Sequence, residues 1–208
     1  MTNRNFQREM DQLIDKLAAS GVVPELLLHS CCAPCSAYVL EYLSQYFSIT
    51  VLYYNPNISS SEEYTLRLAE QKRLVEEMTF VNPVRVMEGE YNPRDFYQIA
   101  KGLEDCPERG ERCHRCYRQR LEYTAKRAAE IEADYFATTL TLSPLKDAVV
   151  LNEIGEELGR LYSVTYLPSD FKKKGGNKRS IELSKEHNLY RQNYCGCIYS
   201  KMQSEEKK

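Results

Sequence analysis

The sequence predicts an α/β fold: a doubly wound, mainly parallel sheet within a single domain. Short aliphatic runs alternate with stretches of helical period along most of the chain, and strands separated by helices pair in parallel. Length and composition agree. With 208 residues, 42% apolar and 28% charged, nine glycines and eight prolines, the chain is globular, which excludes collagen-like, disordered and repeat architectures.

Phe6, Met10, Leu13, Ile14 and Leu17 recur at helical spacing and stop before Gly21 and Pro24, which predicts an amphipathic helix. Residues 25–29 form a short strand that runs into Ser30-Cys31-Cys32-Ala33-Pro34-Cys35, and Tyr38, Leu40, Tyr42 and Leu43 then mark a helix. The first cysteines thus sit at a strand-to-helix turn. Residues 49–54 make a second strand ended by the turn-favouring Asn55-Pro56-Asn57. Ser61 with Glu62 and Glu63 caps a long helix reaching Met78, and residues 84–87 form a third strand. Asn92-Pro93 opens a short helix to about Lys101, a cysteine-bearing loop covers 104–113, and another helix runs to about Ile131. A fourth strand over 135–140, a helix over 145–158 ended by Gly159, and a fifth strand over 161–167 complete the alternation.

These elements divide one domain, 1–208, into an amino-terminal helix over 1–21, a core over 22–167 and a closing segment over 168–208. The last holds a Lys/Gly loop and two short helical pieces. Ligands of such sheets bind beyond the carboxyl ends of the strands, where the first cysteine group and the turn from Thr138 to Lys146 both fall. The first twenty residues alternate charged and apolar types, so no signal peptide is expected, and apolar runs as short as Leu26-Leu27-Leu28 predict no membrane span. A cytoplasmic location is the expectation. In that reducing compartment clustered thiols bind metal or do redox work more often than they form structural bridges.

Eight cysteines are too few for a small disulfide scaffold and too many for thiols used only as small hydrophobes. Six of them pair as Cys32/Cys35, Cys113/Cys116 and Cys195/Cys197; Cys31 adjoins the first pair, and Cys106 stands apart as an incidental loop residue. Two Cys-x-x-Cys groups from distant parts of the chain can complete one tetrahedral or cubane metal site. An iron–sulfur cluster is favoured over structural zinc on three counts. Cys113-His114-Arg115-Cys116 opens a helix instead of a zinc-ribbon turn, seven clustered thiols exceed one closed zinc site, and the vicinal Cys31 and Cys32 are strained for a disulfide. Zinc and unligated buried thiols remain the alternatives. Cys195-Gly196-Cys197 reads either as a redox-active dithiol, whose small ring Gly196 eases, or as further metal ligands or loop thiols.

Charge is segregated although the net value is −2. Residues 109–127 carry seven basic against two acidic side chains, and residues 170–208 carry ten against five, so two cationic segments flank cysteines as a phosphate-rich substrate requires. Solvated helix faces are the plain alternative. Lys172, Lys173, Lys174, Lys178 and Arg179 around Gly175-Gly176 form a candidate clamp on a nucleic-acid backbone. Thr138-Thr139 with Ser143-Pro144-Leu145-Lys146 reads as a strand-to-helix anion site with Pro144 at the first helical position. Tyr53, Tyr54, Tyr190 and Tyr194 offer stacking faces, although most tyrosines are expected in core or surface packing. His29, at a strand end, is read chiefly as a residue hydrogen-bonded to backbone, and the His114 side chain is expected to point away from its flanking cysteines.

Six motifs then carry a resemblance. His29-Ser30-Cys31-Cys32-Ala33-Pro34-Cys35, Tyr54-Asn55-Pro56-Asn57-Ile58, Cys113-His114-Arg115-Cys116-Tyr117, Thr138-Thr139-Leu140 with Ser143-Pro144, Asp170-Phe171-Lys172-Lys173, and Tyr190-Arg191-Gln192-Asn193-Tyr194-Cys195-Gly196-Cys197 follow one another in this order. Over about residues 25–200 the chain resembles the cobalamin-independent epoxyqueuosine reductases of the QueH type. The resemblance implies a HUP/PP-loop-like sheet with a cysteine-rich metal site at the carboxyl ends of its strands. It also implies reduction of the epoxide of epoxyqueuosine at the wobble position of transfer RNA, the last step of queuosine synthesis. Cys31, Cys32, Cys113 and Cys116 match its 4Fe-4S cluster ligands, Cys195 and Cys197 its redox-active pair, and Cys35 a position where an additional metal ion can be contacted. Arg191 joins the lysines as a substrate-binding candidate. Partners implied are epoxyqueuosine-containing transfer RNA and an external electron donor, with no membrane.

Opening an epoxide to an alkene with loss of oxygen as water takes two electrons and two protons, plus assistance to the leaving oxygen. Asp170, Tyr194 and His29 are the proton donors that the sequence offers. The competing reading is a zinc-stabilised, non-catalytic RNA-binding module built on the same basic segments. An ATP-dependent sulfur-inserting enzyme would require a Ser-Gly-Gly-x-Asp-Ser loop where this chain has Ser30-Cys31-Cys32-Ala33-Pro34-Cys35.

Overall fold

Asn5 accepts a hydrogen bond from the Arg8 N–H at 3.1 Å and Gly21 follows the last turn, so helix α1 (Phe6–Ser20) starts and stops at its caps. The structure, a computed structural model, describes residues 4–205; the outermost ends of the amino-terminal and closing units, 1–3 and 206–208, lie outside the described residues. Five strands succeed α1: β1 (Glu25–His29), β2 (Ser48–Tyr53), β3 (Val84–Glu88), β4 (Tyr135–Thr138) and β5 (Thr165–Tyr166). They pair in the order β3-β2-β1-β4-β5, and every pairing is parallel. The doubly wound parallel sheet predicted from the alternation is therefore present.

Alternating side chains divide β1 between two faces. Leu26 and Leu28 pack with Met10, Ile14, Ile49 and Val51 and with Val39, Leu40 and Leu43 of α2 (Ala33–Leu43). Leu27 points the other way, to Tyr117, Leu121 and Ala125 of α5 (Glu111–Glu130) and to Leu151 and Leu158 of α6 (Ala148–Tyr162). Both faces are covered, as a parallel sheet requires. The chain winds from β1 outward to β3, then returns to lay β4 against the other side of β1, so strand order reverses between β1 and β4. The crevice beyond their carboxyl ends is the binding position of such sheets.

Several boundaries differ from expectation for local reasons. Ser60, not Ser61, caps α3 (Ser61–Glu77), its Oγ accepting from the Glu63 N–H. The fourth strand stops at Thr138 because Thr138 Oγ1 accepts from the Leu140 N–H at 3.1 Å and rolls Thr139–Leu142 into a 3-10 turn. Pro144 does not open a helix. Asp147 caps α6 by accepting from the N–H groups of Val149 and Val150, and its carboxylate, with the Ser143 hydroxyl oxygen accepting from the Leu145 N–H, takes up the donors of the anion site expected there. Gly159 lies inside α6, where a Cβ would come within 2.8 Å of the Val164 carbonyl; the helix ends three residues later, before Ser163 in left-handed backbone. That leaves the fifth strand two residues long.

The rest of the chain closes one end of the sheet. After α4 (Pro93–Ala100), the loop to Gly110 leads into α5. Beyond β5, α7 (Gly176–Glu186) packs on α2, with the Ser180 hydroxyl donating to the Pro34 carbonyl at 2.6 Å, and residues 195–197 lead into α8 (Ile198–Glu205). Half of the expected lysine loop is thus helix. Among the described residues, no helix is long and apolar enough to cross a membrane.

Candidate active site

The turn after β1 is pinned on every side. The Ser30 N–H donates to the Leu52 carbonyl at 2.9 Å, Asn55 Nδ2 donates to the Ser30 carbonyl at 2.9 Å, and the hydroxyls of Ser30 and Ser36 both donate to Gln71 Oε1. Pro34 sits in the first turn of α2, so Cys32 and Cys35 lie one turn apart at a helix amino terminus beside Cys31. The three sulfurs lie within 4.8 Å of one another, a spacing that could hold a metal ion. They share one proton deficit. Hydrogen bonds from Cys32 and Cys35 hold the Cys31 thiol well below its ordinary value, whereas donation to Cys31 pushes Cys32 up to about 12 and Cys35 well above normal. Thr139, on the switch-point side, donates to Cys31 Sγ at 3.6 Å and accepts from the Cys31 N–H at 3.3 Å.

A second thiol group comes from α5 and the closing segment. Cys113 and Cys116 stand one turn apart near the start of α5, and with Cys195 and Cys197 they line a small cavity of about 20 Å³. Burial raises Cys113, Cys116 to about 11 and Cys197 to about 12. Gly196 takes a φ of 120°, a left-handed backbone, and a Cβ there would meet Ile58 at 2.9 Å and Arg67 and Asn57 at 3.3 Å. The bend is fixed from outside. Arg67 Nη1 donates to the Cys195 carbonyl at 3.3 Å, its guanidinium lies 5.1 Å from the Tyr194 ring centre, and the Ser59 N–H donates to the Gly196 carbonyl. Lys146 Nζ donates to Cys195 Sγ at 3.3 Å. Burial works against the lysine's charge, but Cys195 and Tyr117 hold its pKa above the ordinary value.

A larger cavity of about 340 Å³ joins the two groups, lined by Cys31, Cys32, Cys35, Cys195, Lys146, Arg191, Gln192 and Tyr194 among others. Seven of the eight cysteines therefore converge at the strand ends beside the switch point. All eight are free thiols. The four thiols matched to cluster ligands are divided: Cys31 and Cys32 group with Cys35, and Cys113 and Cys116 face Cys195 and Cys197 across the neighbouring cavity. Cys106 packs against Gly110 outside both groups.

Around these thiols lie buried donors without a partner: the hydroxyls of Tyr53 and Tyr117, the amide nitrogens of Asn57 and Gln71, and Nε and Nη2 of Arg120. Unpartnered buried donors call for an acceptor. A thiolate-held cluster with inorganic sulfides provides negative charge and acceptors at once, so the donor set fits the group that the resemblance implies.

Other candidates fall elsewhere. His29 is enclosed, with Nδ1 at 2.9 Å from Thr138 Oγ1 and Nε2 at 3.1 Å from the Tyr54 carbonyl, and burial lowers its pKa to about 3; it holds β1, β2 and β4 together and offers no proton. Asp170 pairs with Lys172 at 2.9 Å. Lys174 pairs with Asp11, Arg179 with Glu41 and Glu186, and Lys178 reaches Glu182 only at 4.0 Å, whereas Arg191 lines the larger cavity. The two glycines inside the lysine run differ: Gly175 turns the chain with a φ of 76°, whereas Gly176 serves packing, since a Cβ there would collide with the Phe171 carbonyl and the Tyr38 ring. Tyr53 and Tyr54 are buried, Tyr54 stacking on Tyr123, and the His114 ring lies 6.1 Å from that of Tyr117. Arg120 is the site residue to which the sequence assigned no role, and Lys146 entered only as the last residue of the turn read as an anion site. The signal for Arg120 was its position four residues beyond Cys116 on one helix face.

The family model described as "Epoxyqueuosine reductase QueH" matches residues 26–203. Proteins of that name include one from Streptococcus pyogenes serotype M1, 43% identical over 202 residues that make up 96% of this chain and 79% of the relative. One from Staphylococcus epidermidis is 44% identical over 95% of this chain and 85% of its own length, and one from Thermotoga maritima is 34% identical over 88% and 93%.

Proposed function

The chain belongs to the epoxyqueuosine reductase QueH family, and from that premise we propose that it reduces the epoxide of epoxyqueuosine to queuosine at the wobble position of transfer RNA. It is an oxidoreductase. The observation that carries the reading is the convergence of seven thiols on two adjacent cavities, which share Cys195 and Lys146, at the switch point of the sheet.

The chemistry balances on the residues there. Two C–O bonds of the epoxide break, a C=C bond forms, and the oxygen leaves as water after taking up two protons and two electrons. Cys195 and Cys197, going from dithiol to disulfide, release two electrons and two protons, and an external donor reduces them again. Gly196 supports that cycle because its left-handed backbone bends the chain between the two thiols. Lys146 lies against Cys195 and lines the cavity, where its ammonium can steady the oxygen as negative charge develops. Arg191 at the cavity wall, with Lys172, Lys173, Lys174, Lys178 and Arg179 on the same closing segment, is the contact surface for the phosphate backbone, where Lys172, Lys174 and Arg179 exchange their carboxylate partners for phosphates.

The thiol set also holds the metal. Cys31, Cys32, Cys113 and Cys116 are the ligands that the family resemblance assigns to a 4Fe-4S cluster, and Cys35, which shares the first group, is a further ligand. Such a cluster supplies single-electron transfer and a Lewis-acid contact to oxygen.

Anaerobic purification followed by metal analysis separates this reading from a zinc-stabilised RNA-binding module. A brown protein with several irons per chain is expected, and a colourless one containing only zinc contradicts it. Cys195→Ser is expected to keep the iron and lose multiple turnover. Full multiple turnover with the iron in place would remove the dithiol from the mechanism.

A further inference from the structure

Arg120 is 1% exposed, on α5 one turn beyond Cys116. Its Nη1 donates to Asn55 Oδ1 at 3.0 Å and to Asn57 Oδ1 at 3.1 Å, both neutral amides beyond the end of β2. Nε and Nη2 are buried and have no partner. Among the described residues no carboxylate forms an ion pair with it. The other buried arginine at the site, Arg67, is treated differently: Glu63 lies 2.6 Å from its guanidinium. A buried guanidinium without a counter-charge is strongly unfavourable, so one persists where its surroundings supply the negative charge in another form.

The ionisable groups that face Arg120 identify that form. They are Cys116 on its own helix, Cys195 from the closing segment and Tyr117, which line one cavity with it, and Cys31 from the turn after β1; Lys146, a second cation, lines the same cavity but is already matched to Cys195, and the neutral His29 lies nearby. Arg120 therefore faces thiols from all three cysteine motifs, and two of its nitrogens, which carry three N–H groups, are left over. Asn55 and Asn57 fix its plane without neutralising it. This is the arrangement of a fixed positive charge held against an anionic centre.

We propose that Arg120 is a positioning residue whose fixed charge balances the thiolate centre and sets how readily that centre accepts an electron. The inference rests on the reading that the thiols hold an iron–sulfur cluster. A cation favours the more negative, reduced state, so its removal makes reduction harder.

The test uses the anaerobically reconstituted full chain and follows the cluster by absorbance and electron paramagnetic resonance during a redox titration. Arg120→Gln and Arg120→Met are expected to shift the one-electron reduction equilibrium against the reduced form by at least tenfold, which is 59 mV toward more negative potential. Arg120→Lys keeps the charge and is expected to stay within threefold of the wild type. A neutral variant with the wild-type potential overturns the proposal. So does a lysine variant that behaves like the neutral ones, in potential or in failure to load iron, because packing and not charge is then what matters. If neither neutral variant folds while the lysine variant loads iron at the wild-type potential, the charge is required, as proposed. Wild-type protein without iron fails the cluster reading itself, which is a different outcome from an iron-loaded variant of unchanged potential.

Discussion

His29 stands one residue before Ser30-Cys31 and yet does structural work. The Leu140 N–H donates to Thr138 Oγ1, whose hydroxyl donates to His29 Nδ1, and Nε2–H reaches the Tyr54 carbonyl, so the ring is neutral and ties three strand ends together. Its folded pKa is about 3 and its ordinary value 6.5, so between those values an unfolded chain binds a proton that the folded chain refuses. Stability is unaffected above pH 6.5 and falls as pH drops through that window. By urea titration the wild type should lose about 2 kcal/mol more than His29→Gln between pH 7.5 and 5, with metal content matched. Parallel losses would mean that the ring is not held neutral. The sequence also favoured a structural His29; the cysteine motifs were legible from spacing, and the place of the first of them at the strand ends from the alternation of strands and helices. The division that sets Cys113 and Cys116 beside Cys195 and Cys197, apart from Cys31, Cys32 and Cys35, was not, because spacing does not say which thiols face one another. Nor could it show that Arg120 lacks a carboxylate, since that depends on what the rest of the fold leaves out.

At the scale of elements, order and type were readable because aliphatic runs and helical periods are long-range patterns, and boundaries were less so because single side chains set them. Thr138 ends β4 by capping its own turn, and Asp147, three residues past the proline, starts α6. The lysine run misled for a similar reason. Its charge suggested an open loop, whereas Gly176, Ser180, Leu183 and Ser184 bury one side of α7. Gly176 is the closest point of that packing, and Gly176→Ala should cost about 1–3 kcal/mol and lower the thermal midpoint, because the added methyl must displace the Phe171 carbonyl and the Tyr38 ring. An unchanged midpoint would mean that α7 does not sit on α2 as described.

Across the whole molecule, topology explains why three cysteine motifs separated by most of the chain meet at one place. Strand order reverses between β1 and β4; the first motif leaves β1, Thr139 leaves β4, α5 brings the second motif from the neighbouring face, and the closing segment folds the third over the crevice. The near-neutral total charge hides this organisation, since the basic excess lies in the same two segments that carry Cys113, Cys116, Cys195 and Cys197. The central claim is that these thiols and their cavity reduce an epoxide on transfer RNA. Its most direct test is anaerobic incubation of the reconstituted full chain with epoxyqueuosine-containing transfer RNA and a chemical reductant, followed by mass analysis of the nucleosides. The account predicts conversion of epoxyqueuosine to queuosine, lost on boiling the protein; an iron-loaded protein that leaves epoxyqueuosine unchanged would contradict it.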